Sequence, residues 1–257
     1  MFQTPARFWR DRFQASGIHF CISLLIALGA ALLVFALWYP YPYREISGGR
    51  ELFLIVVSVD VILGPLITLA VFNRAKPRAE LRRDLTIVAL LQLAALAYGL
   101  WSVSVARPVH LVFEYDRFRV VHAVDIPEEL LAKAPPDLDA MPLTGPTMLA
   151  LREFHDQGEK MSATLAALKG ASLSARPDLW QSYAAASSSV LAAAKPLADL
   201  QARFAQRRGD IDAAVASTGR PASALVYLPM IGRKTFWTVL LDSATAQVLG
   251  FLPLDSF

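Results

Sequence analysis

One carboxylate stands inside a long apolar segment of this sequence, where a charge is costly. Asp60 is the only charged residue between positions 52 and 72. Gly64 and Thr68 follow it at intervals of four residues, which predicts that all three share one face of a helix. A carboxylate at the centre of a membrane costs about 2.5–3.5 kcal/mol on insertion scales, so we expect Asp60 to face protein. Pro65 lacks a backbone donor and favours a kink beside it.

Gln92 is the polar residue that we expect to approach Asp60. It lies in another apolar segment, 85–106, about 12 Å along the helix from the N-terminal end of that segment. At this depth we expect its amide to reach Asp60. Three uses are open: a polar clamp that fixes helix packing, a binding face for a partner's transmembrane helix, and a proton or ion relay. We favour the clamp, because a relay needs a chain of ionisable groups and the apolar segments add only His19.

Other residue types point away from catalysis and from metal binding. The four histidines show no metal-ligand spacing, and His110 and His122 are expected to be structural. The single cysteine, Cys21, excludes an intramolecular disulfide framework and a Cys-rich zinc site. The sequence has no serine-hydrolase, zinc-protease or phosphate-loop motif. We therefore expect no catalytic residue, no metal and no cofactor, and a protein that is not an enzyme.

Three apolar segments position Asp60 and Gln92. They cover about 18–38, 52–72 and 85–106, and each reaches the roughly 20 residues that a helix needs to cross a bilayer. The composition agrees, with 55% hydrophobic and only 18% charged residues. The first segment is too long for a cleaved signal peptide and ends in aromatic residues, so we expect an uncleaved helix whose end lies at headgroup level. The sequence thus predicts a three-helix transmembrane bundle.

The basic residues predict how this bundle is oriented. Three arginines precede the first segment and five basic residues fill the loop after the second, whereas the loop after the first holds two. The positive-inside rule places the N-terminus and the second loop in the cytoplasm. Residues 107–257 then lie on the far side, which is the periplasm if the membrane is a bacterial inner membrane.

The net charge of +3 belongs to the apolar part of the chain. Residues 1–106 hold ten basic and six acidic residues, which leaves 15 basic and 16 acidic residues for 107–257. We therefore expect no nucleic-acid-binding face on the second part. Arginines alternate with aromatic residues over 7–13, a composition typical of a short interfacial helix on anionic lipid headgroups.

Residues 107–257 are long enough to form an independent domain. Five runs rich in β-branched and aromatic residues predict strands, at 109–114, 118–123, 224–229, 235–241 and 247–252. The segment from about 147 to 218 is rich in Ala, Leu, Ser and Gln, and predicts three or four helices. We expect an α+β periplasmic domain with a helical middle.

Six collinear runs carry a family resemblance. They are Gly17–His19, Val59–Leu69, Leu91–Leu100 continued by Ala106–Val109, Phe113–Phe118, Pro142–Pro146 and Val239–Asp242. These runs resemble the type IV pilin accessory proteins of the TfpX/TfpZ kind, over roughly 17–146 and 224–255. The resemblance implies a bacterial inner-membrane protein that assists or modulates type IV pilus assembly, and hence twitching motility. It also implies the major pilin or the assembly machinery as the partner.

Two further sets of residues are candidate contact surfaces for such a partner. Ser23, Ala27 and Ala31 repeat at every fourth position of the first segment, a pattern that lets helices approach closely. For this face we favour packing within the bundle over a pilin contact. In the periplasmic domain the candidates are two turns, one formed by Asp116 and Arg117 and the other by Thr144, Gly145 and Pro146.

Two other classes of function compete with an accessory role. A membrane-anchored periplasmic sensor or ligand-binding protein is the alternative, but the cytoplasmic parts are a tail and a short loop, with no output domain. A membrane enzyme or transporter would use Asp60, and the sequence offers no further catalytic constellation for it. The sequence leaves the oligomeric state open.

Overall fold

The computed structural model describes residues 5–168, 170 and 172–257. Positions 1–4, at the start of the expected interfacial segment, and positions 169 and 171, in the Ala-rich middle, lie outside the described residues. The chain divides into two units. The first contains the residues up to Leu37 together with Gly49–Val105, and the second contains Trp38–Gly48 together with Ala106–Phe257.

Long helices make up the first unit. Helix α1 (Pro5–Leu32) continues into a π-helical segment, Leu33–Trp38. The short helix α2 (Tyr43–Ile46) belongs to the second unit. The remaining helical elements of the first unit are α3 (Gly49–Ser58), a π-helical segment (Val59–Leu63) that leads directly into α4 (Gly64–Val71), and α5 (Arg78–Val105).

Three of these helical stretches are long and apolar enough to cross a membrane. They are Arg7–Trp38, Gly49–Val71 and Arg78–Val105, and their C-terminal ends agree with the predicted segments to within one residue. The basic and aromatic residues 7–13 do not form a separate interfacial helix, because α1 runs through them into the apolar stretch. Within α1 the guanidinium carbon of Arg12 lies 4.3 Å from the centre of the Phe8 ring.

A mixed β-sheet forms the centre of the second unit. Its strands are β1 (Pro108–Glu114), β2 (Arg117–His122), β3 (Thr147–Leu151), β4 (Trp180–Ser182), β5 (Lys195–Pro196), β6 (Leu225–Ile231), β7 (Phe236–Asp242) and β8 (Val248–Leu252). The order across the sheet is β4-β3-β1-β2-β6-β7-β8, and β5 pairs with β6. Strand β3 is parallel to β1 and β6 is parallel to β2, whereas the other pairs are antiparallel. The unit is thus an α/β domain with a mixed sheet, where separate groups of strands and helices were expected.

The middle of the chain contains strands as well as helices. After the short α6 (Glu128–Leu131), its helices are α7 (Gln157–Leu168), α8 (Ser187–Ala193), α9 (Leu197–Arg203) and α10 (Arg208–Ser217). Strands β3, β4 and β5 fall in the same stretch, which was expected to be helical. Residues 148–151 of strand β3 are Met, Leu and Ala, which favour helix. Pairing with β1 overrides that preference, since Leu149 and Ala150 are both buried, in different core clusters.

The sheet is buried on both faces. Neighbouring residues of one strand belong to different core clusters, as Leu111 and Val112 do on β1 and Val120 and Val121 do on β2. Strands that are covered on both faces carry continuous apolar runs. This explains why β1 reads Val-His-Leu-Val-Phe and shows no alternation of polar and apolar residues.

The segment between the first two long helices, Trp38–Gly48, packs as part of the second unit. Tyr43 and Ile46 belong to one of the core clusters of the sheet, and Tyr39 and Ile46 have no exposed surface. The backbone N–H of Lys234 donates to the Ile46 carbonyl at 3.0 Å. Aromatic residues that were expected at the lipid headgroups therefore lie in part inside the protein.

Candidate functional site

Asp60 lies in a widened turn of its helix. Residues Val59–Leu63 are π-helical, a form in which backbone hydrogen bonds join residues five apart. Pro65 has no N–H to donate to the carbonyl of Asp60, five residues earlier. The proline therefore accounts for the wide turn and leaves a backbone carbonyl that needs a donor from elsewhere. The structure thus places a wide turn just before Pro65.

Gln92 supplies that donor. Its Nε2 donates to the Asp60 carbonyl oxygen at 3.2 Å, so the two residues meet through the backbone of Asp60 and not through its carboxylate. Gly64 makes room for the amide, since a Cβ at Gly64 would lie 1.8 Å from Gln92 Nε2. Asp60, Gly64 and Gln92 thus form one contact between the second and third long helices.

Helix α1 adds two polar side chains that sequence reasoning did not place at this contact. Ser16 Oγ donates to the Pro65 carbonyl at 2.8 Å, and His19 Nδ1 lies 2.6 Å from Thr68 Oγ1. The available signal was helical spacing, because Ser16, His19 and Ser23 recur at intervals of three and four residues. We refer to the polar residues Ser16, His19, Asp60, Thr68 and Gln92 as the polar cluster.

A cavity of about 240 Å³ borders the polar cluster. It is lined by His19, Ser23, Asp60 and Gln92 together with apolar side chains. Asp60 is buried, and its Oδ1 has no hydrogen-bond partner within the described part of the chain. A buried acceptor without a partner costs free energy, and a hydrogen-bond donor at this oxygen would relieve that cost.

The polar cluster is suited to packing and to hydrogen bonding. Each of the three long helices contributes a polar side chain to it, as a clamp between helices requires. His19 and Asp60 are its ionisable members. Among the residues that the structure describes, no three His, Cys, Asp or Glu side chains gather closely enough to hold a metal ion.

The small residues of α1 face the protein interior only in part. Ser23 and Ala27 are buried, whereas Ala31 is half-buried. The buried face continues instead through Ala30 and Val34. The buried residues 23, 27, 30 and 34 are separated by four, three and four residues, which follows the 3.6-residue period of a helix. A strict four-residue repeat instead rotates gradually away from the buried face.

A second close approach joins the second and third long helices at Gly99. A Cβ there would lie 2.5 Å from Val56 Cγ1 and 2.8 Å from Val56 Cγ2. Because a helical valine has one preferred rotamer, we expect Gly99→Ala to destabilise the first unit by about 1–3 kcal/mol. The free energy of unfolding is measured on the full chain in mild detergent, by adding increasing fractions of a denaturing detergent. Gly29→Ala is the matched control, since a Cβ at Gly29 meets no described atom within 4 Å beyond its chain neighbours and its own helix backbone. Equal stability of the two variants would contradict the prediction.

The two candidate contact turns lie at opposite ends of strand β1. Asp116 and Arg117 follow its last residue, Glu114, after a single intervening position. The other turn, 144–146, directly precedes β3, whose Thr147 pairs with a residue near the start of β1. A strand of seven residues separates the two turns by roughly 20 Å. They therefore do not form one compact surface.

The turn at Asp116 is held by its own side chains and strained in its backbone. Arg117 Nε donates to Asp116 Oδ1 at 2.6 Å, and this hydrogen bond holds the pKa of Asp116 below its usual value. Tyr115 is half exposed and has a φ of 61°, which is costly for a bulky residue. Exposed strain of this kind is found at functional sites, so this turn is the stronger of the two candidates.

Known proteins resemble this chain along almost its whole length. A family model described as fimbrial assembly protein FimB matches residues 7–48. Two fimbrial assembly proteins of Dichelobacter nodosus, from serogroups E1 and I, are each 34% identical to the chain over 244 residues, which is 94% of this chain and 95% of each relative. The chain belongs to the FimB family of fimbrial assembly proteins.

Further comparisons agree with the FimB assignment. The fimbrial assembly protein of serogroups C1 and C2 of the same bacterium is 41% identical over 111 residues, which is 43% of this chain and 85% of that relative. No solved structure is significantly similar to the chain. The residues matched by the FimB model, 7–48, include His19 of the polar cluster and the segment that packs in the second unit. These findings confirm the fimbrial-assembly part of the resemblance.

Proposed function

We propose that this FimB-family protein is a non-catalytic accessory factor of type IV pilus assembly, of the TfpX/TfpZ kind. The observation that carries the proposal is the near-full-length similarity to two fimbrial assembly proteins. The chain has three helices of membrane-spanning length and a mixed-sheet domain. Both parts are large enough to contact other proteins. The protein would act on the major pilin or on the assembly machinery, and its loss would alter piliation or twitching motility.

The proposed location is the bacterial inner membrane, with the second unit in the periplasm. The concentration of basic residues before the first helix and between the second and third supports a cytoplasmic N-terminus. In this topology Trp38–Gly48 and Ala106–Phe257 fall on the same side of the membrane. Their packing into one unit is consistent with that arrangement.

The polar cluster is the proposed meeting point with a transmembrane helix of the partner. Its first role is to clamp the three helices, and Asp60 Oδ1 at its cavity has no donor among the residues that the structure describes. Ile22 and Ile26 of α1 line the same cavity and are exposed. An apolar helix that carries one hydrogen-bond donor would fill this cavity and satisfy the carboxylate oxygen.

Site-specific photo-crosslinking in cells tests the proposal. A photoreactive residue at Ile26 is expected to give an adduct with the major pilin or with a component of the assembly machinery. Leu28 is the matched control, because it is exposed on the same helix but does not line the cavity. A second probe at the strained turn, Tyr115, has the exposed Leu165 as its control.

The identity of the adducts decides between the two possible partners. Pilin adducts at Ile26 that are absent at Leu28 would support a helix contact, and pilin adducts at Tyr115 alone would move the contact to the second unit. Adducts with the machinery alone would make the machinery the partner. Normal surface pili and normal twitching in a clean deletion strain would overturn the proposed function.

A further inference from the structure

The sheet of the second unit opens between β2 and β6. These parallel strands pair only at two positions, Phe118 with Met230 and Arg119 with Ile231. Strand β6 ends at Ile231, while β2 continues to His122. Within the described chain, residues 120–122 therefore have no neighbouring strand on this side. The opening forms a cleft of about 530 Å³, a volume typical of ligand pockets.

The cleft lies where the chain leaves two adjacent parallel strands in opposite directions. After β2 the chain crosses to β3, on the far side of β1, and after β6 it turns to β7 in the other direction. In open sheets, ligands bind in the crevice outside the carboxyl ends of such strands. The cleft is at the carboxyl ends of both β2 and β6, which is the corresponding position in this mixed sheet, with the β6–β7 hairpin in place of a second crossover.

Two arginines line the cleft, each held by a carboxylate. Arg119 Nε donates to Glu114 Oε2 at 3.0 Å, and Arg233 Nη2 donates to Asp125 Oδ1 at 2.7 Å. A guanidinium has five N–H donors, so both arginines keep donors that no described residue uses. Guanidinium groups bind carboxylates through two parallel hydrogen bonds.

The other charged group of the cleft, Asp125, is already satisfied. Its Oδ2 accepts from the backbone N–H of His122 at 3.1 Å and lies 3.1 Å from His122 Nδ1. Burial raises the pKa of Asp125, but His122 and Arg233 outweigh burial and lower it, so the carboxylate stays ionised at neutral pH. His122 is buried and also lines the cleft, and its Nε2 has no partner among the described residues. A donor from a ligand would relieve the cost of that unpaired nitrogen.

We propose that this cleft binds an extended acidic segment of a partner protein, with one carboxylate side chain held by Arg119 and Arg233. Glu114 and Asp125 balance the charges of the two arginines, so the site binds through the free guanidinium hydrogen bonds, which favours a single carboxylate over a dianionic phosphate. At residues 120 and 121 the edge of β2 that has no neighbouring strand offers backbone groups to an extended peptide, whereas the N–H of His122 is already bound to Asp125. The inference does not require the partner to be a pilus component, so it stands or falls separately from the proposed function.

Photoaffinity labelling of the full chain in detergent tests this site. The probe is acetyl-Ala-Asp-Ala-amide with a benzophenone tag, and its control is the same peptide with Asn in place of Asp. We expect labelling mapped by mass spectrometry to 119–125 and 231–233 to be about tenfold stronger with the Asp peptide, because the charge-assisted hydrogen bonds are lost with Asn.

A pair of variants at Val124 separates binding from folding. Val124 lines the cleft and is 55% exposed, so substitutions there leave the core intact. We expect Val124→Glu to reduce labelling by the Asp peptide about tenfold through charge repulsion, and Val124→Lys to retain it. Equal labelling by the two peptides, or equal labelling of the two variants, would overturn the proposal. Displacement by inorganic phosphate as effective as displacement by the untagged Asp peptide would also overturn it, since the cleft would then be a general anion site.

Discussion

Replacing Ile46 by alanine is expected to lower the free energy of unfolding of the second unit by about 2–5 kcal/mol. Ile46 has no exposed surface and lies in the same core cluster as Leu228 and Met230. The cavity left by truncation cannot readily collapse, because the Ile46 carbonyl is held by the N–H of Lys234 at 3.0 Å. A loss of this size is a large part of the stability of an ordinary domain.

The effect of Ile46→Ala is measured on the full chain in detergent, by pulse proteolysis across a urea series with fragments of 106–257 as the readout. Leu143→Ala is the control, because Leu143 is 74% exposed and its truncation is expected to change stability by less than about 0.5 kcal/mol. If Ile46→Ala behaved like this control, Trp38–Gly48 would not contribute to the core of the second unit.

The Ile46 experiment also bears on where the folding unit begins. A fragment that starts at residue 106 lacks Tyr39, Tyr43 and Ile46, three buried side chains of the second unit. The FimB match, over 7–48, ends at the last residue of this packed segment. The second unit is therefore built from two separate parts of the chain, Trp38–Gly48 and Ala106–Phe257. A test of its function needs a protein that contains both parts.

Local composition explains the parts of the fold that could be predicted. The three long helices follow from runs of apolar residues, and β1, β2, β6, β7 and β8 follow from β-branched and aromatic runs. Strand β3 was missed because Met148–Leu151 consists of helix formers. Its strand conformation depends on β1, where His110 contacts Thr147 from 37 positions away. The cleft between β2 and β6 depends on the strand order, which no local pattern encodes.

The polar cluster could be predicted in part for the same reason. Asp60 and Gln92 stand out because charged and amide side chains are rare in apolar segments. The contact between His19 and Thr68 depends on how two helices pack, and their spacing in the sequence does not contain that information. Tyr39 and Tyr43 were misplaced because an aromatic side chain suits a membrane interface and a protein core equally well.

Acid is expected to destabilise the second unit through His110. The side chain is fully buried, with Nε2 3.1 Å from the Ala140 carbonyl and Nδ1 2.8 Å from Thr147 Oγ1. A neutral ring satisfies both contacts, since Nε2 donates to the carbonyl and Nδ1 accepts from the hydroxyl. Burial lowers the pKa of His110 from 6.5 to about 4, and the Ala140 hydrogen bond and the nearby Asp139 charge offset this only in part.

Between pH 6.5 and 4 the unfolded chain therefore binds a proton at His110 and the folded chain does not. The stability that depends on the neutral ring is complete above pH 6.5 and is lost as the pH falls towards 4, by roughly 3 kcal/mol. Unfolding of the full chain at a series of pH values measures this slope. His110→Gln keeps a donor for Ala140 and should flatten the slope over this window, whereas His155→Gln, at an exposed position, should retain it. An unchanged slope in His110→Gln would overturn the assignment to His110. Asp116 and Asp125 do not account for a loss in this window, because their lowered pKa values place their losses at lower pH.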